Sequence, residues 1–83
     1  MTRRISATGV VRSITYPGIG QTPRVLVHLQ IGSEIVVLYF MSRRDLHCLD
    51  IGSKVRVRGA LQRVHGVPTV FNPVFRVVEE RDE

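Results

Sequence analysis

The sequence predicts an all-β fold, a closed barrel of five strands with one short helix between the third and fourth strands. Stretches rich in β-branched residues recur along the 83 residues, and Gly and Pro separate them. Two of these stretches alternate apolar and polar side chains with a period of two, as half-buried strands do. Only one short segment carries a helix-start signal. Five strands in an open sheet would leave exposed edges, so we expect the sheet to close on itself.

The first strand is predicted from Ile5 to Tyr16 and contains Gly9. A glycine inside a strand indicates a bulge or a sharp bend. A long strand that bends can serve both sides of a barrel. Residues 16–23 contain two prolines and two glycines, which predicts a loop.

The second strand is predicted from Arg24 to Ile31, and a tight turn at Gly32-Ser33 leads to a third strand from Glu34 to Met41. The second strand has one apolar face. Both faces of the third are apolar, and we expect the face with the largest ring to point inward. The predicted inward residues are Val25, Val27, Leu29 and Ile31 on the second strand, and Val36, Leu38 and Phe40 on the third, which leaves Ile35, Val37 and Tyr39 outward.

Ser42 is a candidate N-cap for a short helix from Arg43 to Leu49. The fourth strand alternates valines and bases from Lys54 to Arg58, is interrupted at Gly59, and resumes from Leu61 to Val64. After a turn at His65-Gly66, the last strand region covers residues 67–71 and 74–78, with a break at Asn72-Pro73. Phe71 and Phe75, in this region, are predicted to be core residues.

Positive charge is concentrated in the body of the chain. Lys and Arg number 12 against seven Asp and Glu, a net charge of +5. Residues 1–78 carry 11 basic and three acidic side chains, a net charge of +8, whereas residues 79–83 carry −3. We therefore expect one domain over residues 1–78 with an acidic C-terminal tail over residues 79–83.

Length and composition argue against several classes of protein. A chain of this length predicts one small domain rather than a multidomain enzyme. Cys48 is the one cysteine, so no intramolecular disulfide is expected, and no Cys/His quartet suggests structural zinc. No apolar run is long enough for a signal peptide or a membrane span, and we expect a cytoplasmic protein. With no phosphate loop, nucleophile elbow or paired carboxylates in an apolar setting, we expect neither an enzyme nor a cofactor.

The chain resembles the oligonucleotide/oligosaccharide-binding (OB) domains in the wedge region of RecG-type helicases and in the anticodon-binding domains of some tRNA synthetases. It looks closest to small stand-alone OB-fold proteins of actinobacterial type, and the resemblance covers roughly residues 6–78. The residues that carry it are Gly9-Val10-Val11, Ile31-Gly32-Ser33, Phe40-Met41-Ser42-Arg43-Arg44, Gly52, Val55-x-Val57-x-Gly59, His65-Gly66 and Phe71-Asn72-Pro73. The resemblance implies a five-stranded Greek-key OB-fold barrel that binds across its second and third strands.

Single-stranded nucleic acid is held by cations along its phosphates and by aromatic faces that stack on its bases. The candidate phosphate contacts are Arg24, Arg43, Arg44, Lys54, Arg56 and Arg58, and the candidate base contacts are Tyr39, Tyr16 and His28. Each of these residues can also be explained without nucleic acid. The bases of the fourth strand can form a solvated face, Arg43 and Arg44 can be ordinary surface residues, and His28 can be a solvated strand histidine. Tyr16 can pack against the barrel end, and Tyr39 can pack under a loop or in a protein interface.

The sequence thus favours a small protein that binds single-stranded DNA or RNA through a basic outer face with weak sequence preference. The alternative is a protein-interaction module that forms a homo-oligomer or docks on a larger complex through its apolar third strand. The run from Ile35 to Leu38 and the aromatic content of 6% favour that alternative.

Overall fold

The computed structural model describes residues 2–42 and 49–78, and within them the protein is all-β. The described strands are β1 (Arg3–Thr15), β2 (Arg24–Ile31), β3 (Glu34–Met41), β4 (Lys54–Val64), β5 (Val67–Phe71) and β6 (Val74–Val77). The predicted turns at Gly32-Ser33 and His65-Gly66 are confirmed, as is the break between β5 and β6.

Five of the strands form a closed ring. The hydrogen-bonded order is β1-β2-β3-β5-β4, and β4 pairs with β1 to close it. The β3–β5 pair is parallel, and the other pairs of the ring are antiparallel. β6 continues beyond β5 and pairs with the first part of β4. The expected closure of the sheet is therefore present as a ring of five strands.

The long first strand serves two neighbours, as its glycine predicts. Residues 3–10 pair with β4 and residues 10–15 pair with β2, so that Val10 has a partner on both sides. A bulge lies between Val11 and Ser13. Gly9 is buried, and a Cβ built on it would lie 2.5 Å from the Gln30 carbonyl oxygen. The absence of a side chain at Gly9 lets β1 and β2 approach closely where β1 changes partner.

The core lies inside the ring and consists mostly of valine and leucine. The predicted inward faces of β2 and β3 are confirmed, with Ile31 only partly buried at the end of its strand. The buried core residues are Val11, Val25, Val27, Leu29, Val36, Leu38, Phe40, Leu49, Val55, Val57 and Val70. Phe75 packs against this core, with its ring edge-on to Phe40 at a centroid distance of 5.3 Å.

Two sequence predictions need correction, and a third falls mostly outside the described residues. The described residues contain no helix; the helix predicted from Arg43 to Leu49 lies outside them except for Leu49, which is buried and non-helical. Gly59 does not interrupt β4, which runs from Lys54 to Val64. A Cβ at this position would meet a Val70 methyl group at 2.6 Å, so the close approach of Val70 explains the glycine. Phe71 is not a core residue, because its register with Tyr39 places its ring on the outer face.

Candidate nucleic-acid interface

The ring separates the predicted site residues into two groups. Arg24, His28 and Tyr39 lie on the outer face of β2 and β3, opposite the buried valines and leucines of those strands. Arg56 and Arg58 lie on the outer face of β4, which pairs with neither β2 nor β3. The two groups therefore occupy different sides of the ring.

Two further predicted residues, Lys54 and Tyr16, are exposed. Lys54 begins β4 beside Val10 of β1, on the same outer face as Arg56 and Arg58. Tyr16 follows the end of β1 and is 47% exposed, so part of its side chain is accessible. Arg43 and Arg44 lie outside the described residues.

An aromatic pair marks the first surface. The rings of Tyr39 on β3 and Phe71 on β5 have centroids 5.0 Å apart at an angle of 44°. Leu26 is directly opposite Tyr39 on β2, and Arg24 lies one diagonal step away, opposite Met41. A diagonal neighbour on an antiparallel pair is within reach of a long side chain. We call the surface formed by Arg24, Leu26, Tyr39, Met41 and Phe71 the stacking face.

Asn72 holds the end of β5 against β3. Its backbone N–H donates to the Tyr39 carbonyl oxygen at 2.8 Å, and its side-chain oxygen accepts from the Met41 N–H at 2.9 Å. Its φ of +48° lies in the left-handed region, which Asn tolerates better than most residues. These bonds bracket Tyr39 and Met41 on β3, and Phe71 is the residue just before Asn72. We call these two hydrogen bonds the Asn72 clamp. They hold the end of β5 against β3 and so fix the positions of Tyr39 and Phe71 relative to each other.

Polar groups line the other end of the β2 outer face. Arg12, at the β1 bulge, donates from Nε to Gln30 Oε1 at 2.6 Å. His28 lies between Ser13 on β1 and Val37 on β3, and it is half-buried. Its Nδ1 is buried, and none of the described residues hydrogen-bonds to it. Arg12 therefore adds a cation to this face, whereas His28 is only partly accessible.

A basic groove marks the second surface. It has a volume of 430 Å³ and is lined by Ser6, Arg56, Arg58, Val74, Phe75 and Arg76. Arg56 on β4 is directly opposite Arg76 on β6. Arg58 lies between Ser6 on β1 and Val74 on β6. β1, β4 and β6 contain no acidic residue.

Like charges directly opposite each other on neighbouring strands repel. Arg56 and Arg76 form such a pair. The groove is therefore positively charged, and a bound anion would reduce the repulsion between the two guanidinium groups. The Ser6 hydroxyl, on the groove lining, can donate a hydrogen bond to such an anion. The groove is therefore suited to a phosphate group.

The sequence candidates did not include Ser6, Arg12, Phe71 or Arg76, which the structure adds to these two surfaces. For Arg76 a signal was available, because Val74, Phe75 and Arg76 alternate in a way that puts Arg76 outward if Phe75 points inward. The pairing of β6 with β4 gave no local signal. Arg12 stands in a bulge, where the period of two is lost.

Within residues 2–42 and 49–78, no group of three or more metal-ligating side chains could hold a metal ion. No helix found in that same part of the chain is long and apolar enough to cross a bilayer.

The chain matches no protein-family model, and it shows no significant similarity to a curated protein.

Proposed function

We propose that this protein is an OB-fold module that binds single-stranded DNA or RNA through the outer surface of its barrel, with weak sequence preference. The closed strand order β1-β2-β3-β5-β4 supports the OB assignment, because that fold is a five-stranded Greek-key barrel. The observation that carries the function is the Tyr39–Phe71 pair on the outer side of β3 and β5, with Arg24 beside it.

The binding mechanism combines stacking with electrostatic capture. Bases stack on the rings of Tyr39 and Phe71, which every base can do because each has a π-face. Arg24 contacts the phosphates that border these bases, and Arg12 contacts the backbone of the strand at the other end of the β2 outer face. The net charge of +5 attracts the strand from solution. Because neither stacking nor charge reads base edges, the sequence preference is weak.

Alanine substitution of the aromatic pair tests this mechanism. Stacking is worth about 1–3 kcal/mol per base. We therefore expect Tyr39→Ala and Phe71→Ala each to weaken the binding of a fluorescent single strand by about 5- to 150-fold in anisotropy titrations. Tyr39→Phe keeps the ring and is the matched control, with affinity close to that of the unmodified protein. Thermal melts establish that each variant is folded. Unchanged affinity of both folded alanine variants would contradict the stacking mechanism.

A specific observation favours a second function, protein interaction through the start of β3 and β5. Ile35 is 42% exposed and Val67 is 43% exposed. The parallel register of Val37 with Thr69 brings these two residues to the same end of neighbouring strands. Exposed apolar residues that adjoin each other mark partner surfaces.

Light scattering decides whether this apolar end mediates self-association. If it does, the protein is an oligomer and Ile35→Glu converts it to a monomer, because a charge cannot be buried there unpaired. Val74→Glu is the control, since Val74 is also exposed but lies on β6. A monomeric unmodified protein at high concentration would exclude self-association as the role of this surface.

A further inference from the structure

The spacing of the arginines in the basic groove matches the spacing of phosphates along a nucleic-acid backbone. Arg56 and Arg58 are two residues apart on the same face of β4, and side chains so placed are separated by about 6.7 Å. This separation is comparable with that of successive phosphates in an extended strand. Arg76 broadens the row on the β6 side, where it is opposite Arg56. The groove can therefore contact neighbouring phosphates rather than a single one.

The groove offers no free ring to a base. Phe75 is the one aromatic residue in its lining, and its ring packs edge-on against Phe40 of the core. The remaining lining atoms belong to arginine, serine and valine side chains. Such a surface contacts phosphates and sugars and does not stack on bases, so it does not require a single strand.

The groove is also separate from the stacking face. β4 pairs with β1, β5 and β6, whereas the stacking face is on β2, β3 and the end of β5. On one side of the ring β1 lies between β4 and β2, and on the other side β5 lies between β4 and β3.

We propose that the basic groove is a second nucleic-acid site, which holds the sugar–phosphate backbone of single-stranded or duplex nucleic acid without contacting its bases. This inference goes beyond the proposed function, because it assigns the binding of duplexes to a surface that is separate from the stacking face. The phosphate contacts come from Arg56, Arg58 and Arg76, with Ser6 as a hydrogen-bond donor.

The test measures the affinity of a blunt-ended DNA duplex over a range of salt concentrations by fluorescence anisotropy. The groove variant is Arg56→Gln with Arg76→Gln, which removes two charges and the repulsion between them. The matched control is Arg3→Gln with Arg63→Gln, which removes the same charge from exposed positions outside the groove lining. Tyr39→Ala with Phe71→Ala removes the stacking face, and the same proteins are titrated with a single strand of thymidines.

The unmodified protein is expected to bind the duplex at low salt, and the groove variant to bind it at least tenfold more weakly. Each lost phosphate contact reduces the slope of log K against log salt by about 0.9 for duplex DNA, so the groove variant has a slope shallower by about 1.8. The Arg3/Arg63 control and the Tyr39/Phe71 variant keep the duplex slope of the unmodified protein.

Absence of duplex binding at low salt would overturn the inference. Equal losses in the groove variant and the Arg3/Arg63 control would also overturn it, because the effect would then reflect net charge alone. A Tyr39/Phe71 variant that loses duplex and single-strand binding together would show one continuous site, which overturns the separation. If that variant instead keeps the full single-strand affinity of the unmodified protein, the proposed stacking mechanism fails while the groove assignment stands.

Discussion

Gly9 determines how closely β1 and β2 can approach at the point where β1 changes partner. A Cβ at this position would lie 2.5 Å from the Gln30 carbonyl oxygen and 2.8 Å from Leu29 Cγ. The obstacle is in part backbone, which cannot move aside as a flexible side chain does. We expect Gly9→Ala to lower the free energy of unfolding by about 1–3 kcal/mol, measured by urea denaturation.

Gly18→Ala is the matched control for this loss. The nearest atoms to a Cβ at Gly18 belong to the flexible side chain of Gln21, at 3.2 Å. We expect a change within about 0.5 kcal/mol there, as for ordinary surface substitutions. Equal stability changes at Gly9 and Gly18 would refute the close approach of β1 and β2.

The outward position of Tyr39 can be predicted from the sequence, whereas that of Phe71 cannot. The outward position of Tyr39 is predictable, because burying Phe40 in the core sends its neighbour to the other face. Phe71 was predicted to be in the core, and that prediction was wrong. Its ring joins Tyr39 because β5 pairs in parallel with β3. A register between residues 32 positions apart leaves no local pattern around Phe71, so the stacking pair emerges only from the structure.

At the scale of elements, Asn72 attaches β5 to β3 and so sets the geometry of the aromatic pair. Its side-chain oxygen accepts from the Met41 N–H, and its φ is positive. Asn72→Ala removes this acceptor and places a Cβ-bearing residue without a compensating bond in the left-handed region. We expect a loss of about 1–3 kcal/mol in the free energy of unfolding, together with weaker single-strand binding.

Asn72→Asp is the matched control for this loss, because it keeps both the acceptor and the backbone conformation. Aspartate keeps an oxygen acceptor and tolerates a positive φ, so we expect stability to stay near that of the unmodified protein. Single-strand affinity is expected to fall for a different reason, because the added carboxylate repels the phosphates. Denaturation curves and anisotropy titrations of the two variants provide the comparison. If Asn72→Ala were as stable as Asn72→Asp, the clamp would have no role in attaching β5.

Elements with a clear local pattern were predicted well. β2 and β3 begin and end as expected, because alternation defines one and a two-residue turn separates them. β4 was predicted to break at Gly59, yet it is continuous. The glycine is explained by a tertiary contact, since Val70 occupies the space that a side chain would need. Such contacts between distant strands are invisible in the local sequence.

At the scale of the whole molecule, the ring distributes binding residues over two sides. Five strands closing on themselves follow from the all-β pattern and the need to cover edges. The grouping of the arginines does not follow from it. Arg56 and Arg58 were predicted to form an outward row, but their association with Arg76 depends on the pairing of β6 with β4. The sequence therefore predicts the class of fold and the sign of its charge, and the structure divides that charge between the stacking face and the groove.

Salt dependence tests the central claim that the protein captures single-stranded nucleic acid by charge. The measurement is the affinity of the unmodified protein for a labelled strand of thymidines at a series of salt concentrations. For single strands, log K falls by about 0.7 per log unit of salt for each phosphate contacted. With at least three contacts we predict tight binding at low salt and a slope of about −2 or steeper. No binding at low salt, or an affinity that does not change with salt, would contradict the account.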